Sequence, residues 1–334
     1  MNRFLACWWL GLAPAMAIPG GGTLTLVNQT GFNKLTVTFD PGLASTSTST
    51  LTGTLPITLD ADPATGRVSA LTIVNGRISG TTLTFHTFLY NLTITGLGAA
   101  VTTPTPPGVV TPATGQFDAT QYQTAIDQGS MTGTVFGSPV DWTFTPQEPA
   151  IGSGTGTGTI ALTNGVDSGI YRNFTATLTL PVSVDDTTVT DSGTVRITST
   201  GTIKATGTVQ IPKTSYLAWT VAQGAAGASF ATVSNRLPNG LRWALGIGMT
   251  ADPLLYLPKS RAGVPQGFSL PFPATGTGGP VTVLVSTGLG TWTTLPASRL
   301  STGVNPIPAG TVGEVTVSPG TAAKEFIRLK ATEP

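Results

Sequence analysis

The stretch KLTVTFDPG, residues 34–42, decides the fold: Leu35, Val37 and Phe39 alternate with Thr36 and Thr38, then stop at Asp40-Pro41-Gly42. Alternation with period two sets one face of a strand against a core and leaves the other wet, and a Pro-Gly pair ends it. The reading extends outward from Thr23 to Ile211. Leu24 and Leu26 stand beside Thr23 and Thr25, and the pattern returns in LTGTLPITLD, RVSALTIVNG, TLTFHTFLYNLTI, GTVFGSPVDWTFT, GTGTIALTN, FTATLTLPVSV, GTVRITSTG and TIKATGTVQI. These segments predict roughly ten strands. Turns are expected at Asp62-Pro63 with Thr65-Gly66, Asn75-Gly76, Asn164-Gly165 and Asp185-Asp186, so consecutive strands should mostly pair antiparallel.

Prolines 104, 106, 107 and 112 lack the N–H a ladder needs, so residues 102–114 are expected as an irregular loop. The texture changes after Ile211. Thr214 is placed to cap a short helix through Tyr216, Leu217, Trp219 and Val221, and Leu241, Ala244 and Leu245 are spaced for a second helical turn over residues 238–245. Strands resume near residues 281–285, 291–295, 314–317 and 326–329. The fold class is therefore all-β: an antiparallel barrel or sandwich over residues 18–212, followed over 213–334 by a smaller β-sandwich-like domain with one or two short helices.

The N-terminus combines Arg3, an apolar run from Phe4 to Leu12 and a small-x-small ending at Ala15, Met16 and Ala17, the layout of a secretory signal peptide cleaved after Ala17. The run is too short to span a bilayer. Cys7 lies inside it, which argues against a lipid acceptor, and its removal would leave a chain without disulfides or thiolate chemistry. Cleavage also takes away Arg3, one of 16 basic residues, leaving 15 against 15 acidic ones. That balance offers nothing to attract nucleic acid or an anionic membrane. Charged residues are only 9% of the chain, against roughly 25% in ordinary soluble domains. Threonine, serine, glycine and asparagine must supply the wet surface instead, and β-branched threonine suits exposed strand positions.

Four segments occur in order in the second domain: Tyr216-Leu217-Ala218-Trp219; Leu237 through Gly246, reading LPNGLRWALG; Val285-Ser286-Thr287 with Trp292-Thr293; and Phe326-Ile327-Arg328-Leu329. Residues 214–330 thereby resemble a C-terminal module recurrent on exported proteins of Verrucomicrobia and related bacteria. The resemblance implies an accessory sandwich-like module without assigned activity. In that family an Asp-rich, Gly-containing loop that looks able to bind calcium precedes the Pro-Asn segment. Here residues 232–236 read Thr-Val-Ser-Asn-Arg, with no carboxylate, so the calcium site is not carried over. More loosely, TGRVSALTIVNGRISGTTLTF, residues 65–85, resembles β-rich exported proteins of planctomycetes and verrucomicrobia of unassigned function.

Residues with catalytic potential are few. His86, the one histidine, sits in phase with Thr84 and reads as a solvent-facing strand residue. The run from Gly152 to Gly158 lacks the lysine and following helix of a phosphate loop and reads as a flexible lead into the strand at 159–162. Paired acids, Asp60 with Asp62 and Asp185 with Asp186, fall in expected turns. Asp60 and Asp62 are kept as weak ligand candidates for a cation, while Asp118, Asp127, Asp141 and Glu148 stay open because folding could bring them together. Trp142, alternating with Phe144, and Trp219, Trp243 and Trp292 are expected in cores rather than on a sugar-stacking surface. An outer-membrane barrel would show aromatic girdles, and aromatic residues are only 7% of this chain.

The expected function is noncatalytic: a secreted or extracytoplasmic protein with a structural, adhesive or ligand-binding role. Its partner would be a glycan or other cell-surface component, with no nucleic acid, cofactor or metal called for, and no membrane span after cleavage. Two alternatives are a carbohydrate-active hydrolase using paired carboxylates and a carrier of an apolar ligand inside the barrel.

Overall fold

A computed structural model describes residues 17–147, 149–190, 193–265 and 267–334 of the chain. It divides into two units, the first ending at Lys213 and the second beginning at Thr214. The signal-peptide reading falls on residues outside the described chain except for Ala17, and the next residue, Ile18, already begins a strand.

The first unit holds β1 (Ile18–Leu26), β2 (Lys34–Asp40), β3 (Ser45–Ala61), β4 (Val68–Ile73), β5 (Gly76–Gly80), β6 (Leu83–His86), β7 (Tyr90–Thr102) and β8 (Gly108–Val109). It continues with β9 (Gln116–Asp118), β10 (Gln123–Val135), β11 (Ser138–Thr143), β12 (Ala150–Gly154), β13 (Thr157–Ser168), β14 (Tyr171–Thr190) and β15 (Gly193–Pro212). All pair antiparallel. The pairing closes into a ring, β3–β5–β7–β10–β12–β14–β15–β2 and back to β3, so the first unit is a barrel. β1 continues the place of β2, pairing with β15 on one side and β3 on the other.

The alternation works as read. Leu35, Val37 and Phe39 of β2 are buried while Lys34, Thr36 and the strand's other polar residues meet solvent or its edge. Leu24, Leu55, Leu71, Leu92, Leu178 and Ile203 are wholly buried in the same interior. Each such side chain contributes roughly 1.5–3 kcal/mol relative to exposure, and together they drive closure.

Closure needs glycine at two seams. In β1 a side chain on Gly20 would stand 2.6 Å from the Gln210 carbonyl oxygen, and one on Gly22 would overlap the Thr208 carbonyl. At β12 the ring is joined to β14 by only Ser153↔Ser183 and Gly154↔Val182. A Cβ on Gly154 would fall on the Ala119 carbonyl. The glycine run is thus built into the barrel wall through β12, the turn at Gly156 (φ 65°) and β13, not a flexible lead.

Several boundaries differ from expectation. GTVFGSPVDWTFT is a hairpin, β10 to β11, turning at Phe136 and Gly137, both at positive φ. TLTFHTFLYNLTI is likewise β6 and β7 around a turn at 87–89. Asp185-Asp186 is no turn. It lies within β14, which pairs with the uninterrupted β15 from Tyr171↔Pro212 to Thr190↔Gly193. Asn164-Gly165 forms a bulge in β13, between Thr163 and Val166, and the chain reverses instead at Gly169. Within the expected loop 102–114, Gly108 and Val109 form β8 on β4, held by Gln121, which accepts from the Val109 N–H and donates to its carbonyl. One ladder partner on β4 suffices for a strand that prolines bound on both sides.

The second unit holds α1 (Ser215–Ala222), β16 (Val233–Ser234), β17 (Leu237–Pro238), α2 (Asn239–Ala244), β18 (Lys259–Ser260), β19 (Phe268–Phe272), β20 (Val281–Ser286), β21 (Thr293–Thr294), β22 (Gly313–Val317) and β23 (Phe326–Ala331). Thr214 caps α1 by accepting from the Leu217 N–H. Two three-stranded sheets, β18–β19–β22 and β21–β20–β23, share one core of Leu270, Phe272, Val315, Val317, Val281, Val283 and Leu329 with Tyr216 and Trp243 from the helices. β19 is absent from the sequence reading because Pro271 sits inside it.

Candidate functional site

Asp60 and Asp62 have different surroundings. Asp62 accepts from the Ala64 N–H (2.8 Å) and the Thr65 hydroxyl (2.5 Å), so its carboxylate closes its own turn. Asp60, in β3, borders a hollow of about 110 Å³ with Pro19, Thr58, Thr72 and Pro107, which brings the proline segment beside it. Among the described residues no three His, Cys, Asp or Glu side chains gather as a metal would require.

Several other acids are held by their own partners. Asp127 pairs with Arg77 (2.5 Å), Asp185 with Arg196 (2.6 Å) and Asp167 with Lys213 (3.1 Å). Asp118 accepts from the Thr120 N–H and hydroxyl, which hold its carboxyl below the usual range. Asp141 is exposed on β11, and Glu148 lies outside the described residues. His86 ends β6 facing solvent. Trp142 is 37% exposed, its ring tilted at 5.1 Å against the buried Phe144, so this aromatic pair is only half core.

The barrel wall encloses apolar hollows of about 20 and 40 Å³, both bordered by Leu35, Leu97, Ile126, Val184 and Ser199. The hydroxyls of Thr124 and Ser199 are buried there with no hydrogen-bond partner among the described residues.

In the second unit the carboxylate-free stretch 232–236 is organised by Arg242, which is fully buried. Its Nε donates to the Ser234 carbonyl, and its terminal nitrogens donate to the carbonyls of Asn235, Gly248 and Ala251. Asn235 and Arg236 both adopt positive φ, which turns that loop's oxygens inward. Burial lowers the Arg242 pKa from its ordinary value. A cation is thus present within the loop, supplied by the chain itself. The sequence reading passed over it because an arginine in a helix reads as surface.

A groove of about 740 Å³ lies in the second unit. Its lining combines the apolar Phe230, Leu237, Leu241 and Phe268 with Trp292 and the length of β23. Trp243 is buried (3% exposed) and Trp219 packs against that core, as expected, whereas Trp292 lines the groove. The Arg328 guanidinium lies 5.9 Å over its ring. Glu325 at the groove's end is bound bidentately by Arg299, at 3.1 and 2.6 Å. It therefore leaves Arg328 and Lys330 as the groove's unneutralised charges.

Comparison with known proteins finds nothing. No family model, curated protein or solved structure matches the chain.

Proposed function

We propose that this chain is an exported, noncatalytic binding protein in which the barrel is a scaffold and the groove of the second unit is the ligand surface. The observation that carries the reading is the groove itself. A concavity of this size with an apolar lining and a few polar groups is the usual form of a binding site. Its one carboxylate, Glu325, is tied to Arg299, which suits recognition better than acid–base chemistry. Export is supported by the N-terminal pattern and by the start of β1 one residue beyond the expected cleavage point.

The alternatives draw less support. The hollows bordered by Leu35, Leu97 and Ser199, about 20 and 40 Å³, would not admit an acyl chain or a ring system and so lend the carrier reading no support. Asp62 and Asp118 are committed to turns and Asp127, Asp167 and Asp185 to ion pairs, which draws support away from a hydrolase.

The test is to probe residues 18–334 on glycan, lipid and peptide arrays beside Ala231→Trp, which fills the groove from an exposed position. Signals present in the parent and lost in the variant are expected. Signals that survive the substitution place binding elsewhere, and turnover of an arrayed glycan would defeat the noncatalytic reading.

A further inference from the structure

We infer that the groove binds an extended acidic peptide segment of another protein, which adds to the open edge of β23 as a further strand. The inference rests on the groove being the binding surface.

In the sheet β21–β20–β23, β23 has a hydrogen-bonded neighbour on one side only. The phase of β20 shows what its other side presents. Val281 exchanges both backbone bonds with Ile307, and the Val283 N–H and carbonyl are engaged by Asn305 and Leu295, all on the side away from β23. In an antiparallel pair, residues facing the partner alternate with residues facing away. Thr282, Leu284 and Ser286 therefore face β23, opposite Lys330, Arg328 and Phe326. Ile327, Leu329 and Ala331 must then turn their N–H and C=O groups to the open edge, where none finds a backbone partner among the described residues.

The groove follows that edge. It touches every residue from Glu325 to Ala331, although successive side chains point to opposite faces of the strand. A space that meets both sets runs along the backbone between them. Open edges are usually blunted, and an unpaired edge beside an apolar wall is the geometry of strand addition.

Charge selects the occupant. Arg328 and Lys330 lie two residues apart on the exposed face, with no carboxylate within ion-pair distance among the described residues. Two copies of β23 paired antiparallel in phase would set these cations against each other. A foreign strand with carboxylates at alternate positions would meet them, while its intervening apolar side chains face the lining residues Leu241 and Phe268.

The experiment uses residues 18–334 and a fluorescent eight-residue peptide alternating Glu with Val. Saturable binding is expected, weakening with salt. It should fall roughly tenfold when alternate peptide nitrogens on one edge are methylated, the equivalent of one or two hydrogen bonds. Arg328→Glu with Lys330→Glu should switch preference to a Lys–Val peptide. Ile327→Pro should abolish binding yet leave the β20 ladder intact, because the Ile327 N–H points outward; circular dichroism checks that both variants fold. No peptide binding, indifference to methylation, or self-association through β23 overturns the inference. If a glycan or lipid still binds and Ala231→Trp removes it, strand addition fails while the groove remains the binding surface; if nothing binds there, both fail.

Discussion

Arg242 holds the carbonyl of Ala251 through both terminal guanidinium nitrogens, at 3.2 and 3.0 Å. Its remaining donors take the carbonyls of Ser234, Asn235 and Gly248, so one side chain fixes two separate loops on α2. Replacing it with methionine keeps much of the volume and takes the guanidinium from four carbonyls, of which Ala251 keeps the Asn235 side-chain amide (3.1 Å). Each left unsatisfied costs ~1–3 kcal/mol, so Arg242→Met should destabilise the second unit by at least about 3 kcal/mol in urea unfolding. Arg242→Lys should recover less than half, since an ammonium cannot span the planar fork. Full stability in Arg242→Lys would mean that charge, not geometry, holds the loops.

Inside the barrel the reverse sign is expected. The hydroxyls of Ser199 and Thr124 are buried and unpartnered among the described residues. Ser199→Ala and Thr124→Val remove a desolvated polar atom with little change of shape, and each should be neutral or stabilising by up to about 1 kcal/mol. Thermal unfolding measures it, and a lower Tm in both variants would show that the hydroxyls have partners in solution.

The β12 seam predicts a large effect from a single methyl. Gly154→Ala sets a Cβ on the Ala119 carbonyl where only two residue pairs join β12 to β14. Overpacking of this kind costs roughly 1–3 kcal/mol. Gly288→Ala, where nothing stands within 4 Å of the new methyl, is the matched control and should be silent. Amide exchange across β12 and β14 would report opening at that place, and unchanged protection would place the weak point elsewhere.

Asp185 and Arg196 give a titration. The guanidinium donates two hydrogen bonds to the carboxylate, at 2.9 and 2.6 Å, and holds its pKa below the usual value. A depressed folded-state pKa contributes stability above the unfolded-state value, and the contribution is lost as pH falls through the folded one. Both side chains are more than half exposed, so the effect on stability should be small. Arg196→Gln should return the Asp185 pKa toward its ordinary value in a carbon-detected NMR titration. An unmoved pKa would show that the pair is open in solution.

Much of this architecture was legible because alternation is a local signal. Leu35, Val37 and Phe39 report their burial through their own spacing, and Thr214 reports its helix through its own side chain. Turn chemistry was less reliable. Asn164-Gly165 offers the backbone angles of a hairpin turn, but a bulge needs the same angles, and pairing chose the bulge. Asp185-Asp186 looked like a turn because aspartate favours turns, yet the long β14–β15 ladder carries it as strand with Arg196 across the way. The candidate acids suffered most, since proximity between distant carboxylates has no local signature.

By itself the sequence determined an antiparallel β-chain with a change of character near residue 213, because side-chain period and capping act over a few residues. Only the tertiary structure decided that the first sheet closes on itself at glycine seams, and that Arg242 gathers carbonyls from two loops. The same holds for the edge of β23, which lies open beside the groove's apolar lining. Those outcomes depend on which strands find each other across long separations, and residue spacing alone does not encode that choice.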